Sequence, residues 1–304
     1  MVELIDFDAW TEYDGSAEGS GRSEKLWLKS ERGELGLFKF PKIDPETNKE
    51  TTEHISEHLA YKLGEILNVQ TARVDIGTYQ GRVGSMSYFL CDQSEFLQEG
   101  IWLISGKYPQ YNAEKLFDEE NKKFYSIEHL DTAIPKNFSN KWISMLLFDF
   151  LIGNSDRHQS NWAMLVKIST DMIQIRWSPL YDNGSSLCCY INDNQLPKLL
   201  GRDKNRFNAL VDSKSKSRIR IDGTQSRTPS HKEMAEHLLK NYPVARKISR
   251  NFIEKLTEDQ INSLLEEYDD KILCKEKKNL IHRFLSKKIE ILVDLLKEVE
   301  LNEK

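Results

Sequence analysis

The period of apolar and polar positions changes several times along the chain, and each change marks an element. Residues 25–30, KLWLKS, and 35–41, LGLFKFP, read as two strands with Glu31-Arg32-Gly33-Glu34 as the hairpin turn, and Pro41 ends the second. From Glu50 to Leu67 the period lengthens: Ile55, Leu59, Leu63 and Ile66 recur at spacings of three and four, which predicts an amphipathic helix. A second stripe, Glu53, Glu57, Ala60 and Gly64, gives that helix a face of small residues able to approach a neighbour and carry an acid to it. Two more strands are expected in TARVDIGTY and RVGSMSYFL, parted by Gln80-Gly81. Residues 92–138 show no clean period and are read as irregular structure with short helices. Trp142 to Ile152 is apolar nearly all round, the pattern of a buried helix, and Gly153 suits its C-terminal cap. WAMLVK and MIQIRWSPL read as a hairpin turning near Ser169 to Asp171, residues 195–232 as a solvated loop, and the tail from Thr257 as amphipathic helix opened by Thr257 and Gln260.

Composition narrows the class. A chain of 304 residues, 39% hydrophobic and with thirteen Phe, eleven Tyr and six Trp, has ample material for a core, either one two-lobed unit or two small domains. Net charge is −5 with the signs interspersed, so no basic face marks a nucleic-acid partner. The longest apolar runs fall short of the ~20 residues of a membrane span. The acidic start, MVELIDFDAW, lacks the basic region of a signal peptide, and a cytoplasmic location is expected. Cys91, Cys188, Cys189 and Cys274 form no C-x-x-C pair and read as buried thiols.

The chemistry concentrates in LIGNSDRHQSNWAMLV, where Asp156 and Asn161 are spaced D-x-x-x-x-N after the buried helix. In a kinase catalytic loop that Asp orients and deprotonates a substrate hydroxyl, and the Asn is an uncharged oxygen ligand for Mg²⁺. Asp182 of Tyr181-Asp182-Asn183-Gly184 follows the hairpin at nearly the same remove from the turn as Asn161 precedes it, so strand pairing brings the two together. Upstream lie a Gly/Ser-rich stretch, GSAEGSGRSE, then Lys39 on a strand, then Glu57 on a helix, with Glu53 one turn earlier as the alternative partner. A phosphate-covering loop, a phosphate-binding lysine and an acid that holds it extended occur in this order in kinases. Each feature alone has an ordinary reading, as linker, edge-strand charge, helix surface or Asx turn. Their joint order is what those readings do not predict.

The set GSGRSEKLWL, LFKFP, SEHLAYKLGEIL, LIGNSDRHQSNW and SPLYDNGSS resembles the catalytic half of the HipA-like serine/threonine kinase family over about residues 15–190. The resemblance implies an α+β, two-lobed protein-kinase-like fold, with a β-rich N-lobe over 1–95 and a mainly helical C-lobe over 96–304. It implies an ATP- and Mg²⁺-dependent kinase acting on a protein Ser or Thr, monomeric, with Asp156 as catalytic base and Asn161 and Asp182 as metal ligands. Nucleotide contacts are implied for Ser20, Gly21, Arg22, Ser23, Glu24, Lys25, Lys39, Glu57, His158 and Tyr181, and by position along the chain for Ser87, Tyr88 and Phe89. Autophosphorylation in the Gly-rich loop, at Ser16, Ser20 or Ser23, a toxin-like growth-regulating role and an antitoxin or regulatory partner are further implications. Full-length members carry an additional N-terminal subdomain where this sequence has 14 residues, so the toxin role rests on the resemblance alone.

Two other classes compete. His54-Ile55-Ser56-Glu57-His58 is an H-x-x-E-H zinc-peptidase pattern, which leaves Asp156, Asn161 and Asp182 without a purpose. The other is a kinase-like nucleotide-binding module without catalysis, which no missing residue supports.

Overall fold

The computed structural model describes residues 1–14, 24–92, 94–202 and 204–302. Its N-terminal part contains β1 (Ile5–Asp6), β2 (Thr11–Glu12), β3 (Lys25–Lys29), β4 (Leu35–Lys39), α1 (Glu53–Leu67), β5 (Val74–Tyr79) and β6 (Arg82–Tyr88). The strands form a six-stranded sheet ordered β1-β5-β6-β4-β3-β2, antiparallel except for the β1–β5 pair.

Register sorts the side chains of this sheet. Lys25, Lys39, Ser85 and Ile76 form one cross-strand row, and Trp27, Leu37, Ser87 and Val74 the next row on the same face. Helix α1 packs against this face, joining Ile55, Leu59 and Leu63 to Ile76 in the main core. The opposite face carries Leu28, Phe38, Tyr79 and Met86, which with Phe7 and Phe40 make a small second core. At Gly77 the N-terminal segment lies so close that a Cβ would stand 2.1 Å from Ile5 O and 2.5 Å from the Phe7 ring.

Beyond the sheet follow β7 (Glu95–Glu99), α2 (Gly100–Ser105), a small sheet of β8 (Tyr111–Asn112), β9 (Phe117–Asp118) and β10 (Lys123–Phe124), then α3 (Ile127–Ala133) and α4 (Ser139–Ile152). Next come β11 (Ala163–Ile168), β12 (Ile173–Trp177), α5 (Leu196–Leu200), α6 (Lys204–Val211), α7 (His231–Asn241), α8 (Pro243–Lys255), α9 (Glu258–Glu266) and α10 (Lys275–Leu301). Helix α4, buried almost throughout from Trp142 to Ile152, is the axis around which α7, α8 and α10 pack. Gly153 ends it at φ +68°, and a Cβ there would meet the Phe284 ring at 2.7 Å.

The α+β, two-lobed fold therefore holds. Three stretches differ from expectation. Within 92–138 the structure places a strand, β7, whose pairing with β11 completes a three-stranded sheet; its residues EFLQE are partly exposed on both faces, so no alternation announced it. Residues 195–232 contain two short helices instead of only loop. The tail is two helices broken at residues 267–274, although Thr257 caps α9 by accepting the Gln260 N–H. Backbone hydrogen bonds join the two parts: Leu180 N–H donates to Gln70 O and Ala72 N–H to Leu180 O, each at 2.8 Å. Among the described residues, no helix is long and apolar enough to cross a membrane.

Candidate active site

A cleft of about 770 Å³ lies between the two parts, and Lys39, Glu57, Asp156, His158, Asp182 and Arg218 are among its lining residues. Lys39 arrives from β4 on the cleft face of the sheet. Its Nζ donates to Asp182 Oδ1 at 2.8 Å and stands 3.8 Å from Glu57 Oε2. Burial works against the charged amine, but Asp182 and then Glu57 outweigh it and hold Lys39 above the ordinary lysine range. Burial likewise opposes the Asp182 carboxylate, and Lys39 overrides it, so Asp182 stays below the usual range.

Glu57 is positioned by more than the lysine. It is buried on α1, and its Oε1 accepts the Asn183 N–H at 2.9 Å. Burial raises its pKa against the pull of Lys39. The approach of α1 to this turn explains Gly184, where a Cβ would lie 2.9 Å from Glu57 Oε2 and 3.3 Å from Glu53 O. The stripe of Glu53, Glu57 and Gly64 is thus a contact face, and Glu53 itself pairs with Lys42 at 2.8 Å instead of Lys39.

Asp156 and Asn161 share one tight loop after α4. Asp156 N–H donates to Asn154 Oδ1 at 3.0 Å, and Asn161 Nδ2 donates to Asp156 O at 2.8 Å. His158 N–H donates back to Asp156 O at 2.8 Å, and burial first of all pushes the His158 imidazole down, toward its neutral form. Tyr181 is fixed by its hydroxyl, which donates to Ser160 O at 2.9 Å.

Arg157, between Asp156 and His158, ties these pieces together and was not singled out by motif. It is buried, and its Nε and Nη2 hold the equally buried Asp149 of α4. Its Nη1 donates to Asn161 O and Tyr181 O, both at 2.8 Å, and its Nη2 to Asn183 Oδ1 at 2.6 Å. One guanidinium therefore fastens the loop of Asp156 to the turn of Asp182, bringing Asn161 and Asp182 to the same end of the hairpin. The one available signal was an acid inside an apolar helix. Arg218, which donates to Asp156 Oδ1, comes from the segment before α7 and had no local signature.

The remaining expected residues divide. Lys25 sits directly across from Lys39 in the β3–β4 ladder, its pKa lowered by burial and then by Lys39. Of the three hinge-like residues, Ser87 shares the cleft face. Tyr88 points to the opposite face, its hydroxyl on Asp75 at 2.7 Å, and Phe89 is 47% exposed, edge-on to Trp27. Glu24 is turned to Arg82 in a two-pronged ion pair. Ser16, Ser20, Gly21, Arg22 and Ser23 lie outside the described residues. Register adds Trp27 and Leu37, neither of them anticipated, to the cleft face.

The H-x-x-E-H stretch does not assemble a zinc site. His58 Nδ1 is hydrogen-bonded to Tyr268 OH at 2.5 Å, Glu57 turns to Asn183 and Lys39, and burial brings both histidines down to about 4. Among the described residues, no group of three His, Cys, Asp or Glu side chains could hold a metal ion.

Comparison with known proteins agrees with this geometry. The family model described as HipA-like C-terminal domain matches residues 17–259. The serine/threonine-protein kinase CtkA of Helicobacter pylori strain J99 is 26% identical over 267 residues, covering 79% of this chain and 78% of its own. The crystal structure of a Helicobacter pylori proinflammatory kinase CtkA superposes with a TM-score of 0.80 at 19% identity, over 98% of this chain and 100% of that one. The Shewanella oneidensis HipA in a complex with HipB and operator DNA gives a TM-score of 0.58 at 12% identity, over 94% and 68%. The family match and the CtkA sequence support kinase function, and the two superposed structures show the fold.

Proposed function

The chain belongs to the HipA-like C-terminal domain family, and on that premise we propose that it is an ATP- and Mg²⁺-dependent serine/threonine protein kinase. The observation that carries the reading is the convergence of Lys39, Glu57, Asp156 and Asp182 on one cleft from four separate stretches of chain. Residues 1–95 act as the N-lobe and 96–304 as the C-lobe, and the switch of pairing between β6 and β7 supports that division.

Lys25 and Lys39 stand side by side on the cleft face, an arrangement of like charges that favours an anion such as a triphosphate between the lobes. Lys39 is the phosphate-binding lysine, with Glu57 behind it. Trp27, Leu37 and Ser87, one row further along that face, are placed for the base. The donor set also fits a hard cation: Asp182 offers a carboxylate, and Asn161 an amide whose Nδ2 is already held by Asp156 O, which leaves Oδ1 as its ligand atom. Mg²⁺ held there by Asn161 and Asp182 would neutralise phosphate charge. Asp156 orients the acceptor hydroxyl in line with the γ-phosphorus and takes its proton, while the bond from that phosphorus to ADP breaks. His158, kept neutral by burial, braces the loop without adding charge beside the base.

The test is incubation with ATP labelled at the γ-position, in parallel with ATP labelled at the α-position, with and without Mg²⁺, for wild type and Asp156→Ala. Label from the γ-position alone, on wild-type Ser or Thr only, is expected, and phosphopeptide mapping then decides whether Ser16, Ser20 or Ser23 is the autophosphorylation site. Label from the α-position would make the protein an AMP transferase instead. The Shewanella HipA occurs with an antitoxin partner, HipB. An equivalent regulatory partner for this chain, and a toxin-like role, belong to the same proposal and are tested by whether induced expression arrests growth in wild type but not in Asp156→Ala.

A further inference from the structure

Arg218 is presented to the cleft from a backbone with little freedom. Its neighbours Ser217 and Ile219 are buried. Ser217 N–H donates to Pro229 O and Arg220 N–H to Tyr125 O, both at 3.0 Å, and Ile127 N–H donates to Arg220 O at 2.9 Å. From this fixed base the guanidinium donates its Nε–H to Asp156 Oδ1 at 3.1 Å, and its Nη2 stands 3.0 Å from the same oxygen.

The pair is not explained by folding. Its side chains are 49% and 36% exposed, and an ion pair in such surroundings contributes little to stability. Nor is it one of several interchangeable cations. Of the lysines on the cleft side, Lys39 is engaged by Asp182 and Glu57, Lys42 by Glu53 and Tyr190, and Lys25 stands beside Lys39 in the β3–β4 ladder.

Geometry at the guanidinium is informative. Nε and Nη2 form its side edge, and that edge holds the carboxylate. The end edge, made by Nη1 and the second N–H of Nη2, makes no hydrogen bond among the described residues. A guanidinium is planar with five donors, so one edge can hold a carboxylate while the other meets phosphoryl oxygens.

We propose that Arg218 is a second catalytic residue of this site, holding Asp156 by its side edge and the transferring phosphoryl group by its end edge. The inference rests on the phosphotransferase reading. Oδ2 of Asp156, the oxygen that Arg218 does not engage, receives the acceptor proton. The acceptor oxygen bonds to the γ-phosphorus as the bond to the β-phosphate bridging oxygen breaks, and ADP leaves with that electron pair. Arg218 keeps its charge throughout and answers the negative charge on the equatorial oxygens.

Single-turnover transfer from γ-labelled ATP, with calorimetric measurement of Mg-ATP affinity, tests this on wild type, Arg218→Ala and Arg218→Lys. Arg218→Ala is expected to slow transfer at least ~100-fold with affinity held within about threefold, the signature of an interaction made in the transition state. Free guanidinium ion should restore part of the Ala rate and leave wild type unchanged. Arg218→Lys should fall between, because a point charge lacks the two-edged fork. An Ala rate equal to or above wild type would make Arg218 a bystander or a plug on the base. Parallel loss of rate and affinity without guanidinium rescue would make it structural. Wild type that binds Mg-ATP but transfers no label sinks the kinase reading as well, whereas unchanged transfer by Arg218→Ala sinks the role of Arg218 alone.

Discussion

Lys39 Nζ donates to Asp182 Oδ1 at 2.8 Å, joining strand β4 to the turn after β12 across 143 positions of sequence, while Glu57 waits 3.8 Å away. The lysine thus answers the acid that the proposed function assigns to the metal. Under the proposed function, nucleotide and cation would exchange these partners, the ammonium passing to phosphate and the carboxylate to Mg²⁺.

Lys39→Met removes the charge that opposes the effect of burial on the Glu57 carboxyl. Its folded pKa, already raised by burial, then rises further above the unfolded value of about 4.3, so stability relative to wild type is lost as pH increases through that window. Chemical denaturation of both proteins between about pH 5 and pH 8 should show a gap that widens with pH. A gap independent of pH would mean that Lys39 does not control Glu57. Phosphate transfer should be abolished throughout.

Arg157→Met leaves Asp149 as a buried carboxylate with only the Asn154 amide for company, which should cost about 3–5 kcal/mol of unfolding free energy. Asp149→Leu combined with Arg157→Met should recover much of that, because both charges leave together. Transfer should remain low in the double variant, since the bonds to Asn161 O, Tyr181 O and Asn183 are still missing. Restored activity would show that the arginine is needed for folding only.

Gly184→Ala tests the contact between α1 and the Asp182 turn by steric means alone, because the residue has no left-handed backbone to strain. A methyl 2.9 Å from Glu57 Oε2 must displace one or the other, at ~1–3 kcal/mol. Transfer should fall further than that loss of stability explains, because the displaced group is the acid behind Lys39. Full activity at reduced melting temperature would count against Glu57 as the support of the lysine.

Lys288 is buried with no carboxylate in hydrogen-bonding reach among the described residues, donating to Ser215 Oγ at 3.0 Å above the Phe150 and Phe284 rings, and burial brings its pKa down to about 7. A lysine depressed in the fold costs stability below the folded pKa, and the cost fades as pH rises toward the unfolded value of about 10.4. Wild type should therefore gain about 1–2 kcal/mol relative to Lys288→Met between pH 6.5 and pH 8.5. Equal pH slopes would show that the ammonium stays charged in the fold. Ser215 also meets His231 Nδ1 at 2.9 Å, whose Nε2 reaches Asn154 O at 2.9 Å, so this lysine stands behind the loop of Asp156.

The sequence disclosed what is local or ordered along the chain. The two periods located α1, α4 and the β11–β12 hairpin, and the hairpin's symmetry about its turn put Asn161 and Asp182 at one end. Hidden from it were relationships fixed by tertiary contact. Strand β7 has no alternation because it lies at the edge of its sheet. The cleft face of the first sheet could be separated from its other face only after register was known, which is why Tyr88 was grouped with Ser87. Arg157 and Arg218 differ from dozens of other charged residues only in where the chain delivers them.

Helix α1 is fastened to the Asp182 segment at two levels, by Glu57 accepting the Asn183 N–H and by the chain just beyond the helix exchanging backbone hydrogen bonds with Leu180. Kinases that are switched by swinging this helix must break its acid–lysine contact and move the helix as a body. Here the same swing would also break the Asn183 N–H bond to Glu57 and the two backbone bonds at Leu180, at roughly 0.5–1.5 kcal/mol each. Helix α1 and the Asp182 turn are thereby coupled, so that a shift of either one strains the other.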